Sequence, residues 1–266
     1  MMLSLKNKVV WITGASSGIG RELSIQFSKK KCKLILSARR ESELEKLVIE
    51  LNIPKENYLI LPFDLADIPS FPEHVERAIQ YFGRIDILIN NGGFSQRSLA
   101  LETNGKVERE IFEVNFFAHV ALTKLVLPVM LKNKFGHISV MSSVAGKFGF
   151  YLRSSYSAAK HALHGYFESL RLENEMNGIS ILMICPGKIN TDISLHAKTG
   201  EGDSNNKYED SHKNGVSPSQ CAKEIISAIE KNKKEILIGG KEIFAVYLHK
   251  FLPKIFFKII RKQSPL

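Results

Sequence analysis

The sequence predicts an α/β fold: a doubly wound, parallel, seven-stranded sheet with helices on both faces. Three observations carry that prediction. Short apolar runs rich in β-branched residues recur at positions 9–12, 34–37, 58–61, 85–89, 137–141, 180–184 and 235–238, the pattern of strands buried on both faces. Apolar stripes at helical spacing lie between them, as in Leu44, Leu47, Val48 and Leu51. Strands that alternate with helices build a parallel sheet covered on both sides. The third observation is a glycine-rich turn, Thr13-Gly14-Ala15-Ser16-Ser17-Gly18-Ile19-Gly20, between the first strand and the first helix.

That turn is also the first functional signal. Ile19, Leu23 and Phe27 carry it into a helix. A strand, a glycine turn and a helix N-terminus aim backbone N–H groups and the positive end of a dipole at one spot, which suits a phosphate. The spacing Gly14-x-x-x-Gly18-x-Gly20 differs from the commoner G-x-G-x-x-G. Positions 106–132 then read as a long apolar helix kinked at Pro128, and positions 155–177 as a second long helix. Ser217 reads as an N-cap, with Pro218 in the first turn and Gln220 closing a capping box. Residues 194–216 are long, polar and follow a strand end, where ligands bind in such sheets, so a mobile substrate lid is expected there. No repeat or linker divides the chain. Residues 1–240 read as a single dinucleotide-binding catalytic domain and residues 241–266 as a basic amphipathic tail.

Composition narrows the class of function. The 266 residues are 44% hydrophobic, enough to fill a core. Cys32, Cys185 and Cys221 are odd in number and lack metal-ligand spacing, so no metal site is expected and free thiols in a reducing compartment are. No charge-free run reaches the roughly 18 residues of a membrane span, and the first strand starts too early to leave room for a signal peptide. A cytoplasmic location is the expectation. The net charge is +10, but about half of it sits in the tail, where Lys241, Lys250, Lys254, Lys258, Arg261 and Lys262 face Glu242 alone. The body is only mildly basic, so nucleic acid is not an expected partner.

Several polar residues carry chemistry. Tyr156 and Lys160 lie four apart, on one face of a helix. A nearby cation favours a phenolate, and a phenol near neutrality exchanges a proton with a carbonyl or alcohol oxygen. Ser143 follows the strand at 137–141, and Asn90-Asn91-Gly92-Gly93 follows the strand at 85–89. Asn115 interrupts an apolar helix, where a buried amide needs partners. Pro186-Gly187 follows the strand at 180–184, with Thr191 close behind.

These elements, with Asp64, stand in the order and spacing of the short-chain dehydrogenase/reductase family, which the chain resembles over about residues 5–240. The stretch 90–98 is similar to the type-7 branch of dehydrogenase/reductases. That branch commonly carries an N-terminal membrane anchor, and none is expected here; Gly92 replaces the family's usual alanine. The resemblance implies a Rossmann-type fold and the catalytic residues Asn115, Ser143, Tyr156 and Lys160. Tyr156 would be the acid/base, Lys160 would lower its pKa and hold the nicotinamide ribose, Ser143 would bind the substrate oxygen, and Asn115 would hold a water that relays protons. Cofactor contacts are implied for Gly14, Ser16, Ser17, Gly18, Ile19, Gly20, Leu65, Gly92, Pro186, Gly187 and Ile189. Asp64 would bind the adenine, Asn91 would lie against the adenosine ribose and Thr191 would hold the carboxamide.

The second strand ends Ser37-Ala38-Arg39-Arg40. An acidic residue at position 38 would bind a free 2′-hydroxyl, whereas arginines pair with a 2′-phosphate. NADP(H) is therefore the expected cofactor. The expected reaction moves a hydride between nicotinamide and a carbonyl or secondary alcohol; the alternative is a non-catalytic dinucleotide-binding sensor or scaffold. Phe94, Phe148, Phe150, Tyr151, Leu152 and Leu195 flank the motifs, and those that line the pocket would suit a bulky apolar substrate. The resemblance also implies a homodimer or homotetramer, paired through the helices that carry Asn115 and Tyr156. In the tail, lysines four residues apart run beside a Phe/Leu/Ile stripe. That pattern fits a helix lying peripherally on a membrane, or one packed over the pocket or a neighbouring subunit; packing is the simpler reading.

Overall fold

The computed structural model describes residues 3–206 and 214–263. Seven strands form one sheet: β1 (Val9–Thr13), β2 (Lys33–Ser37), β3 (Tyr58–Ile60), β4 (Ile87–Asn90), β5 (Gly136–Met141), β6 (Ile179–Pro186) and β7 (Glu235–Ile238). All neighbours are parallel, in the order β3-β2-β1-β4-β5-β6-β7. The fold class is the one the sequence predicts; strand ends move by one or two residues.

Alternation along each strand feeds two apolar layers. Val10 and Ile12 of β1 belong to a layer with Leu23 and Phe27 of α1 (Gly18–Lys29), Leu44 and Leu47 of α2 (Glu41–Leu51) and Ile225 and Ile229 of α7 (Pro218–Glu230). Val9 and Trp11 face the other layer. There they join Phe71 of α3 (Phe71–Phe82), Val126 of α5 (Ala118–Lys132) and Phe167 of α6 (Ser154–Asn174). Full burial of each such side chain contributes about 1.5–3 kcal/mol, so the layers rather than the loops hold the strand ends in register.

Strand β1 pairs with β2 on one side and β4 on the other. The chain winds outward from there in both directions, which opens a crevice at the C-terminal ends of β1 and β4. Thr13 ties the two ends together. Its hydroxyl donates to Ile89 O at 3.2 Å and accepts from the N–H groups of Asn91 and Gly92 at 3.0 and 3.1 Å.

Two local expectations change. The helix formed by α4 (Gly105–Phe112) and α5 continues past Pro128, and its ladder changes instead at a π turn, Glu113–Phe117, that carries Asn115. Pro128 is exposed and costs one hydrogen bond on the solvent side, whereas the π turn re-aims a buried side chain. By length and composition Gly105–Lys132 also suffices to cross a membrane. Here Leu122, Val126 and Met130 are buried in the layer beneath the sheet. Ser217 does cap α7, accepting from Gln220 N at 3.1 Å, but the Gln220 amide donates to Glu224 Oε1 at 2.9 Å instead of closing a capping box.

The C-terminal segment forms α8 (Ile243–Phe251) and α9 (Pro253–Ile260). Glu242 anchors it. Its Oε1 accepts from the N–H groups of Lys188 and Gly240 at 2.8 and 3.1 Å. Burial pushes this carboxyl up, but the backbone donors outweigh burial and hold it below the usual range.

Candidate active site

The glycine turn is held by backbone-level contacts. Gly14 and Gly18 have φ of +65° and +51°, a region L residues rarely adopt. A Cβ on Gly14 would come within 2.8 Å of Gly92 Cα, and one on Gly20 within 2.2 Å of Gly14 O. The Asn91 amide donates to Thr13 O at 2.9 Å and Gly14 O at 3.3 Å, so it staples the turn to β4. Ser17 is the extended N-cap residue of α1 and its side chain makes no cap bond. The first turn of α1 holds no acidic residue. The loop therefore fits a phosphate: it is a cradle that any Cβ would fill, with helix N–H groups at its floor.

Around it lie the residues expected to read the nucleoside. Arg40 Nη2 is 3.4 Å from Ser16 Oγ, and Arg39 Nη1 is 3.9 Å from Asp64 Oδ2, both on an exposed surface. Asp64 Oδ1 accepts from Ala66 N at 3.0 Å. Leu65 packs over Gly92, where a Cβ would meet its Cδ1 at 2.4 Å. Thr191 stands against Gly18, whose Cβ would approach Thr191 Cγ2 to 3.2 Å.

Asn115, Ser143, Tyr156 and Lys160 converge on one cavity of about 990 Å³, together with Ile19, Asn91, Pro186, Gly187, Ile189 and Thr191. Tyr156 and Lys160 sit in the first two turns of α6. Lys160 Nζ donates to Met141 O at 2.8 Å and lies 5.7 Å from the Tyr156 ring centre. Ser143 follows β5; its hydroxyl donates to Pro186 O at 3.4 Å and accepts from Ala145 N at 3.1 Å. The Asn115 amide donates to Ile111 O at 3.0 Å and Phe94 O at 3.1 Å. Its Oδ1 is buried with no partner among the described residues, so an acceptor points at a group yet to be bound.

The electrostatics differ from the expectation that Lys160 draws out the phenolate. Burial raises the Tyr156 pKa; the hydrogen bond to Ser143 and the charges of Arg153 and Arg97 oppose that rise without overcoming it. Burial also lowers Lys160 to about 7. Both shifts favour neutral side chains in the protein alone. His119, whose ring N–H donates to Gly92 O at 2.8 Å, is pushed down to about 3 by burial and, secondarily, by Lys160.

Gln96 has a place that the sequence reading did not give it. The N-cap position of α6 is Arg153, which supplies no side-chain cap. Gln96 caps the helix from the loop after β4 instead. Its Oε1 accepts from Ser155 N at 2.9 Å and Tyr156 N at 3.2 Å. Its amide nitrogen donates to Thr103 Oγ1 at 2.9 Å and to Ser98 and Ser154 hydroxyls at 3.2 and 3.3 Å. The missing local cap was the available signal, since a helix start needs acceptors from somewhere.

The outer side of the cavity is apolar. Phe150, Tyr151 and Leu152 line the cavity as expected, with Ile193 rather than Leu195, and α8 and α9 contribute Tyr247, Leu248, Phe251 and Phe256. Phe148 is buried behind them, 4.8 Å from the Phe256 ring, and Phe94 packs with Val107 and Ile111. The tail thus packs over the pocket. Lys198 and Gln96 form a bridge at the foot of the expected lid, as do Ile189 and Val216; residues 207–213 of that segment lie outside the described residues. His164, Cys185 and Glu235 place ligand-type atoms within 4.8 Å of one another. Lys147 already stands among them, bonded to Glu235 and 3.3 Å from His164 Nδ1, and burial pushes the Cys185 thiol up to about 12. A protonated thiol beside an ammonium is a poor cation site.

A glycine cradle at the switch point of a parallel sheet, opening into a cavity with a tyrosine–lysine pair, defines a Rossmann-type nucleotide-binding oxidoreductase. The family description of short chain dehydrogenase matches residues 8–202. An Anopheles gambiae protein named dehydrogenase/reductase SDR family protein 7-like is 42% identical over 98% of this chain and 84% of its own length. A short-chain dehydrogenase from Streptomyces avermitilis superposes with a TM-score of 0.82 at 25% identity, over 97% of this chain and all of the other. One from Burkholderia phymatum in complex with NAD gives a TM-score of 0.84 at 21% identity over 96% of each chain, a likeness of fold. The chain belongs to the short-chain dehydrogenase/reductase family of nicotinamide-dependent oxidoreductases, close to the type-7 branch.

Proposed function

We propose that this protein is an NADP(H)-dependent reductase of bulky, apolar carbonyl compounds, also able to run the alcohol oxidation in reverse. The observation that carries the reading is the meeting of Tyr156, Ser143, Lys160 and Asn115 in a cavity whose outer half is lined by aromatic and aliphatic side chains. Held at the Gly14–Gly20 turn, NADPH would supply the hydride for the carbonyl carbon. Tyr156, which burial keeps protonated, donates its hydroxyl proton to the carbonyl oxygen as negative charge grows there. Ser143 donates a hydrogen bond to the same oxygen. Lys160 would hold the cofactor ribose and, when protonated, would stabilise the phenolate left on Tyr156. Asn115 Oδ1 is the acceptor that would seat a water in the path returning the proton.

Preference for the 2′-phosphate rests on Ala38, which offers no carboxylate, and on two exposed arginines beside Ser16 and Asp64. Assembly as a homodimer or homotetramer through the Asn115 and Tyr156 helices is consistent with the exposed Phe117 on that surface. Titration of NADPH against NADH, followed by a cofactor-oxidation screen over ketones and aldehydes of graded size, tests the reading. NADPH should bind at least tenfold tighter, in line with one lost charge-assisted hydrogen bond or more. Large apolar ketones should give the highest kcat/KM. Tighter NADH binding, or a preference for sugars, would overturn it.

A further inference from the structure

The exposed apolar side chains of the tail form a patch. Phe244 is 73% exposed and Phe251 66%. With Tyr247 they recur at i, i+3 and i+7 on α8, hence along one face. On α9, Ile255, Phe257 and Ile259 are each about half exposed. Single exposed apolar residues are ordinary, but these six large ones within residues 244–259 mark a surface that something covers. Phe244, Tyr247, Phe251 and Ile259 also line the cavity that holds Tyr156. These four therefore stand at the rim of the cavity mouth, while Ile255 and Phe257 lie outside its lining.

The charge around the rim says what covers it. Lys250, Lys254, Lys258, Arg261 and Lys262 are all exposed. Glu242, the acid in the tail, is turned inward onto the Lys188 and Gly240 N–H groups. The outer surface thus carries exposed aromatic and aliphatic side chains interspersed with cations. A second copy seated on this face would bring lysine rows against lysine rows. An anionic lipid surface complements both features, because its acyl boundary takes the apolar side chains and its headgroups take the cations.

We propose that α8 and α9 dock the cavity mouth on an anionic bilayer, so that an apolar substrate enters from the lipid side. The route of entry rests on the reductase reading above; the docking does not. The test is flotation of the full-length protein with vesicles of phosphatidylcholine alone or mixed with phosphatidylserine, at low and high salt. Two variants use exposed residues that do not line the cavity, Lys254→Glu/Lys258→Glu and Ile255→Ser/Phe257→Ser. NADPH binding is measured on each to show that the fold is kept. Wild type should float with the mixed vesicles only, and high salt should release it. Each reversed lysine should lower the bound-to-free ratio by about fivefold or more, and the apolar pair should abolish flotation. Failure of wild type to float, equal flotation of folded variants, or a wild-type dimer that Ile255→Ser/Phe257→Ser splits would overturn the docking. Flotation without turnover of any ketone would uphold docking and remove only the reductase reading.

Discussion

The two halves of the cleft are built by opposite means. The nucleotide half is backbone on backbone: Gly14, Gly20 and Gly92 are packed so closely that a methyl group would meet main-chain or amide atoms within 3 Å, or Leu65 in the case of Gly92. The substrate half is side chain on side chain, closed by two short helices whose outer faces remain exposed. A backbone cradle admits one ligand shape and tolerates little change. A wall of Phe, Tyr, Leu and Ile is adaptable in shape and specifies polarity more than structure. The difference teaches that one half constrains its ligand through close main-chain packing and the other through polarity.

The largest expected contrast is between two glycine substitutions. Gly20→Ala puts its Cβ against Gly14 O and the Asn91 amide and should destabilise the protein by about 3 kcal/mol, with loss of NADPH binding. Gly149→Ala, in the substrate half, meets open space and should leave the unfolding midpoint unchanged. Urea melts and cofactor titration of both variants check this; equal effects would break the contrast.

Acid should act next, through the body of the sheet. Burial lowers His137 on β5 to about 4 and His119 to about 3. Below pH 6.5 the unfolded chain takes up protons that the folded one refuses. Stability is therefore present above that pH and lost as pH falls toward those values, by about 2 kcal/mol per imidazole between pH 6.5 and 5. Urea melts at pH 7 and 5 should show a smaller acid loss in His137→Gln than in wild type. An identical loss would contradict the assignment.

The smallest effect sharpens the border between the halves. Gln96→Ala removes the cap from Ser155 and Tyr156 and should cost about 1 kcal/mol of stability. Tyr156 is then held less firmly, so kcat should drop about tenfold while the Kd for NADPH stays within twofold. A change in Kd without a change in kcat would show that Gln96 serves the nucleotide half instead.

The fold and the glycine turn were legible because they depend on short-range rules. β-branched runs, a glycine turn and helical stripes each report their own conformation. What escaped depends on distant partners. Gln96 caps a helix about sixty positions away, a link no local pattern encodes. Pro128 looked like the break in its helix, yet the ladder changes at Asn115, where the π turn serves the buried amide. Tyr156 and Lys160 were recognisable as a pair, but the burial that raises the tyrosine and lowers the lysine to about 7 required the packed site. The tail advertised an amphipathic stripe without saying which side of it would cover the pocket.

The central claim is that Tyr156 moves the proton in a cavity whose nucleotide half is complete without it. Tyr156→Phe keeps the ring that fills the site and deletes only the hydroxyl. NADPH affinity and ketone-dependent NADPH oxidation, measured on this variant and on wild type, test the claim together. The account predicts affinity within about twofold, since the cradle is main chain, and turnover lower by about 10³-fold, the usual worth of a positioned proton donor. Turnover near the wild-type rate in a variant that binds NADPH normally would contradict it.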